Sequence, residues 1–212
     1  MELLTVLTTV YVICKRGGYV ILRHNTLRDT TAELLREVCS DVYTEPPLLP
    51  VRGIQLPNGA NVTDGAQLDV SARSFWTPLD RAFTDIRVLH PQAPSNSKSS
   101  IKQMYHAHEL EKKRAYNSRV LNVEKACFTP LVFSTSGGMG NEAKTFFNRL
   151  ADKISMKKNQ KYCHVITFIR RRLRFELLKT CIISLRGYRG RVNHQPDNVG
   201  DLDFNLRPQA VY

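Results

Sequence analysis

Asp69, in GAQLDVSAR, and Asp85, in RAFTDIRVL, each sit in a segment that alternates polar and apolar residues. Such alternation marks a half-buried strand, in which residues two apart share a face. Folding the two segments as an antiparallel hairpin about Thr77 predicts Ser71 opposite Phe83 and Asp69 opposite Asp85. Leu68, Val70 and Ala72 then meet Ile86, Thr84 and Ala82 on the other, apolar face. Two carboxylates directly across a ladder repel, so stability alone would favour replacing one of them. A divalent cation held between them reverses that sign and can activate water. Arg87, two residues past Asp85, shares its face and adds a positive charge. Two acids beside a cation suit phosphodiester hydrolysis, whereas two solvated strand aspartates are the plainer alternative.

The elements that must position these residues can be read from periodicity and punctuation. Leu27, Thr31, Leu34, Leu35 and Val38 have the spacing of an amphipathic first helix over Thr26 to Cys39. A short strand, Asp41 to Glu45, is stopped by Pro46 and Pro47, and Pro50, Gly53, Pro57 and Gly59 mark an extended loop. The aspartate strands follow over Ala66 to Arg73 and Ala82 to Leu89, then a Pro- and Ser-rich loop and a charged helix from Ile101 to Val123. Phe128 to Ser134 reads as a compact strand whose Pro130 requires an edge position or an irregular start. Two helices close the pattern, Glu142 to Met156 and His164 to Leu185. The tail from Gly187 has no periodicity and reads as disordered.

A chain of 212 residues with 42% hydrophobic content can bury one ordinary core. Its net charge of +12 is unevenly placed: residues 1–97 hold nine Lys or Arg against ten acids, and residues 98–191 hold 21 against six. A near-neutral half that carries the aspartates thus precedes a basic half suited to a polyanion. The five cysteines form no CxxC pair, which implies reduced thiols. Leu3 to Cys14 is apolar but too short to span a bilayer, and Glu2 stands where a signal peptide would be basic, so no membrane partner is expected. The expected location is nuclear or cytoplasmic.

The order αβββαβ, with acids on the second and third strands, resembles the restriction-endonuclease-like α/β core of PD-(D/E)XK nucleases. The string CKRGGYVILRHNTLRDTTAELLREVC, followed by LDVSARSFW, DIRV, HELEKKRAY and FTPLVFSTSGGMG, is similar to the nuclease region that ends the polyprotein of some non-long-terminal-repeat retrotransposons. The resemblance covers about Cys14 to Arg189 and implies a nuclease domain over residues 14–187, an unassigned segment 1–13 and a tail 188–212. Cys14 matches only the last cysteine of the zinc knuckle found in such elements, and one ligand cannot hold zinc. This departure implies a truncated copy.

Carried over by position, the resemblance makes Asp69 and Asp85 ligands of Mg²⁺ or Mn²⁺, with Leu68 in place of the motif proline. Arg87 falls where the motif lysine usually stands, and a guanidinium can clamp phosphate but not take a proton. In some branches of the fold that lysine has moved to the following helix, which makes Lys112, Lys113 and Tyr116 candidates. Glu33 matches the place of a third metal-facing carboxylate, and His24 and Asn25 match the His-Asn pair that opens the nuclease region of such elements, where a histidine just before the first helix can contact DNA or metal-bound water or simply pack or cap. Asn25 could instead cap the first helix.

Other residues carry two readings each. Arg170, Arg171 and Arg174 are candidate phosphate contacts or a solvated helix face. Phe75 and Trp76 at the hairpin end suit base stacking or core packing. The turn STSGGMG can present backbone N–H groups to a phosphate but lacks the lysine of a nucleotide-binding loop. The expected function is a Mg²⁺- or Mn²⁺-dependent DNA endonuclease, with RNA as a further partner. The alternatives are a catalytically inactive nucleic-acid-binding remnant of the same domain and an interaction module with no nucleic-acid role.

Overall fold

Gly18 adopts a left-handed conformation, φ +70, and turns the chain into the first helix, α1 (Tyr19–Arg36). The computed structural model describes residues 18–93 and 99–186. Expectations for residues 1–13, for Cys14 and for the tail 188–212 lie outside these described residues. Leu27, Thr30, Thr31, Leu34 and Leu35 form the buried stripe of α1 at the expected i, i+3, i+4 spacing. The helix begins well before Thr26, however, because Val20 to Leu22 extend it and Arg23 is already buried. Asn25 is therefore an interior residue, not a cap.

After α1 come β1 (Ser40–Thr44), β2 (Val70–Arg73), β3 (Arg81–Leu89), α2 (Ile101–Arg119), β4 (Cys127–Ser134), α3 (Asn141–Lys158) and α4 (Tyr162–Arg186). Ser100 and Gln103 form a capping box at the start of α2, and a π-turn, Val120–Glu124, ends it. The sheet order is β1-β2-β3-β4, antiparallel except for the β3–β4 pair, whose parallel crossover is made by α2. Val70 lies opposite Thr84, Ser71 opposite Phe83 and Ala72 opposite Ala82, the register that the alternation predicts. The hairpin turn is tied by Ser74 N–H to the Asp80 carbonyl, 2.9 Å, with Ser74 left-handed at φ +64. β4 is an edge strand, which accommodates Pro130 opposite Asp85.

β2, β3 and β4 are largely buried on both faces, whereas β1 is mostly exposed, in a mixed α/β arrangement. On one face Val70, Ala72, Ile86, Leu131 and Phe133 pack against α1, α3 and α4. Phe75 is fully buried there, 4.3 Å centroid to centroid from Phe146, and Trp76 donates from Nε1 to Thr129 Oγ1. Core packing, not base stacking, is thus their role. On the other face Phe83 and Phe128 pack with Leu68 and Val120, while Leu89 and Val132 pack with Met104 of α2. Arg119, fully buried, donates from its guanidinium to the carbonyls of Leu49, Asn61 and Thr63 and so pins the long β1–β2 loop to α2.

Candidate active site

The site forms where β2 and β3 part. β2 ladders with β3 only from Val70 onward, whereas β3 runs on to Leu89 paired with β4 alone. Asp69 stands at this break. Its N–H donates to the Thr84 carbonyl at 3.1 Å, and its carboxylate accepts the N–H of Ile86, a bond that a continuing strand would have supplied from its backbone. The irregularity also moves Leu68 to the Phe83 and Val120 side of the sheet, away from the Val70 and Ala72 face. The expectation that Leu68 faces Ile86 is corrected accordingly: alternation holds from Val70 onward but not through Asp69.

Asp85 lies in the middle of β3, on the face covered by α2, and is 7% exposed. Its Oδ2 is 2.7 Å from Lys112 Nζ, yet that buried oxygen has no hydrogen bond of acceptable alignment. Distance and alignment thus differ in what they say about this contact. The distance decides the electrostatics, so an ion pair holds the oxygen while its lone pairs stay available. Burial pushes the Asp85 carboxyl above the usual carboxylate range, Lys112 pulls it back, and the charge of Asp69 raises it further. The two aspartates therefore feel each other.

Each aspartate receives a cation-forming side chain from a different helix. From α1, His24 Nε2 is 3.1 Å from Asp69 Oδ2, while Nδ1 is 3.4 Å from Asn25 Oδ1. The bond to Asp69 raises the His24 pKa, against burial, which lowers it. From α2, Lys112 reaches Asp85 with its ammonium 5.7 Å from the ring centre of Tyr116, one turn further on. The Tyr116 hydroxyl accepts from Asn61 Nδ2, which anchors the ring. Arg87 follows Asp85 on the same face, is exposed, and makes no hydrogen bond or ion pair among the described residues.

Of the candidate residues, the fold brings together Asp69, Asp85, His24, Asn25, Lys112 and Tyr116, with Arg87 beside them. Lys113 points elsewhere and pairs with Glu142 of α3. Glu33 is nine residues from His24, two and a half helical turns, and pairs with Arg172 of α4. Among the described residues no group of three or more His, Cys, Asp or Glu is gathered in a way that could hold a metal. Arg170 donates to Asn148 and Arg174 to the Gly137 carbonyl, outside the aspartate cluster, and Arg171 is exposed. The direct contact of His24 with Asp69 has no local sequence signal, since it joins residues 45 positions apart.

The donor set suits a hard divalent cation. Mg²⁺ commonly takes only one or two carboxylates and completes its shell with water and substrate phosphate. Two coupled carboxylates, one with a buried oxygen held only by an ion pair, meet that requirement. No described helix is long and apolar enough to cross a membrane. No family model matches the chain, and no curated protein matches it.

Proposed function

We propose that this chain is a Mg²⁺- or Mn²⁺-dependent DNA endonuclease domain of the restriction-endonuclease-like kind, derived from a retrotransposon. The observation that carries the reading is the meeting of Lys112, from the helix after β3, with the buried carboxylate of Asp85 at 2.7 Å. The acids and the lysine come from separate elements, yet they converge where the sheet opens. Support also comes from the element order αβββαβ and from the uncompensated Arg87.

Asp69 and Asp85 would hold the ion, which when bound neutralises phosphate charge and lowers the pKa of its water. Lys112, beside Asp85, places its ammonium where negative charge grows on the phosphorus oxygens. Arg87 clamps a non-bridging oxygen and cannot act as a base. Ile86 N–H and His24 fix the orientation of Asp69. Water would form the new bond to phosphorus and give up a proton to solvent as the bond to the leaving O3′ or O5′ breaks, and that oxygen would take a proton from solvent. The basic second half of the chain holds the strand, with RNA as a further polynucleotide partner.

One observation favours the non-catalytic reading: Asp69 Oδ2 already serves both Ile86 N–H and His24. Nicking of supercoiled plasmid by the purified chain with Mg²⁺ or Mn²⁺ separates the two. Metal-dependent nicking that EDTA stops, and that Asp85→Asn lowers by at least about 100-fold, is expected, since the lost carboxylate is both ligand and charge partner. Salt-sensitive binding of DNA without any nicking would make the chain a binding remnant.

A further inference from the structure

The turn after β4, Ser134 to Gly140, is packed hard onto α2. A Cβ on Gly138 would lie 2.2 Å from the Tyr105 hydroxyl, and one on Gly140 would lie 2.2 Å from Glu109 Oε1. Glu109, buried, accepts the N–H of Glu142, so a carboxylate already caps the amino end of α3. Beside this turn opens a cavity of about 510 Å³, lined chiefly by Tyr105, Ser136, Gly137, Lys144, Arg170 and Arg174.

Its charge is one-sided. Lys144 comes from α3 and Arg170 and Arg174 from successive turns of α4, and none of the lining residues is acidic. Elsewhere on the same helices cations meet acids, as in Arg172 with Glu33 and Lys158 with Glu37. Among the described residues Arg174 reaches only the Gly137 carbonyl, at 3.4 Å, and Arg170 only Asn148. Lys144 is exposed and makes no hydrogen bond or ion pair among the described residues. Three cations around one hollow repel one another, and a multiply charged anion relieves that repulsion. Two guanidinium forks, an ammonium and the hydroxyls of Ser136 and Tyr105 supply more donors than a carboxylate can use, but suit the oxygens of a phosphate.

We propose that this cavity binds a phosphate of a nucleic-acid strand, as an anchor separate from the aspartate site. The choice of a strand phosphate over a free one rests on the endonuclease reading and on the basic second half of the chain. Tyr105 and Lys112 lie seven residues apart on α2, roughly 10 Å along its axis and on one side. That separation is roughly three times the 3.4 Å axial spacing of charges along one strand. The anchored phosphate is therefore near the one that would be cut, but not the same one.

The test is binding of a fluorescent DNA duplex, followed by anisotropy over a range of NaCl in Ca²⁺, for the wild type and for Lys144→Gln and Lys144→Gln/Arg174→Gln. Lys157→Gln, an exposed α3 lysine outside the cavity, is the control, and Ser136→Asp adds a carboxylate to the hollow without removing a cation. Losing this one phosphate contact should reduce the slope of log K against log salt by up to about 0.9, fully in Lys144→Gln/Arg174→Gln and in part in Lys144→Gln, and Ser136→Asp should weaken binding, while Lys157→Gln leaves the slope unchanged. Slopes equal to that of the control, or a wild type that binds no duplex, would overturn the proposal. A thermal shift with inorganic phosphate that Lys144→Gln abolishes, together with unchanged DNA slopes, would overturn it in favour of a small-anion site. Absence of nicking bears on the aspartates alone, because these slopes are measured without cleavage.

Discussion

Replacing Lys112 by Met removes the ammonium that faces Asp85 and keeps most of the stem that packs beside Tyr116. Asp85 is then a buried carboxylate with its nearest cation gone and Asp69 still close. Breaking a buried pair by deleting one partner costs about 3–5 kcal/mol. The side chains retain 19% and 9% exposure, so water softens the loss and about 3 kcal/mol is expected at pH 8. For a domain of this size that is a fall in Tm of roughly 6–12 °C. The loss must depend on pH in a definite direction. Burial already raises the folded pKa of Asp85, and losing Lys112 raises it further. The folded state therefore binds a proton more readily than the unfolded one, and stability drops as pH climbs from about 3.9 through the folded value. As pH falls back toward the unfolded value the variant carboxyl takes up its proton and the penalty shrinks. Urea unfolding in EDTA at pH 5 and pH 8, for Lys112→Met, Asp85→Asn and the double variant, reads all of this. The double variant should recover to within about 1 kcal/mol of the wild type, because no unpaired charge remains. A Lys112→Met loss under about 1 kcal/mol that is equal at both pH values, or losses that simply add in the double variant, would refute the reasoning.

Two further perturbations test the supports of the site. His24 has a raised pKa owing to its bond with Asp69, so its stabilisation is complete below about pH 6.5 and disappears as pH rises through the folded value. In EDTA the wild type should lose about 1 kcal/mol between pH 6 and the upper end of that window, and His24→Gln should flatten the curve; equal slopes for both would count against the ion pair. Arg119→Met leaves the carbonyls of Leu49, Asn61 and Thr63 without their donor, at a cost of about 2–3 kcal/mol. Limited proteolysis should then cut within residues 50–65 well before the helices, and unchanged protection of that loop would contradict its role.

Much of the frame was legible because its signals are local. Alternation and a turn about Thr77 are enough for the register of Ser71 with Phe83, and Pro130 calls for an edge position or an irregular start, of which β4 has the edge. Lys112, with Lys113 and Tyr116, is a candidate through the family resemblance and not through a local pattern, and the fold brings Lys112 to Asp85 while Lys113 pairs with Glu142. The errors lie where tertiary contacts override local pattern. Leu68 breaks the alternation since the Asp69 carboxylate, instead of a strand backbone, takes the Ile86 N–H. Glu33 was a fair candidate from its place on the first helix, but His24 is the α1 residue that faces the aspartates, and helical geometry puts Glu33 on the far side with Arg172. The start of α1 was missed because Tyr19 to Leu22 read as a continuous apolar run, without the polar positions that reveal a helical period.

The charge count of the cluster says how such a site would be used on the proposed reading. Asp69 and Asp85 are matched by His24, when protonated, and Lys112, so the cluster is close to neutral as it stands. That balance explains how two neighbouring carboxylates persist where the sheet is well packed. Adding a divalent ion to a balanced set leaves two positive charges in excess, and the bound phosphate of a substrate is the natural compensation. Ion and substrate would then favour each other's binding, with Lys112 beside Asp85 and Arg87, exposed and unpaired among the described residues, both meeting the phosphate. On that reading Arg87 in place of a strand lysine would cost less activity than its chemistry alone suggests, because α2 supplies a compact ammonium beside Asp85.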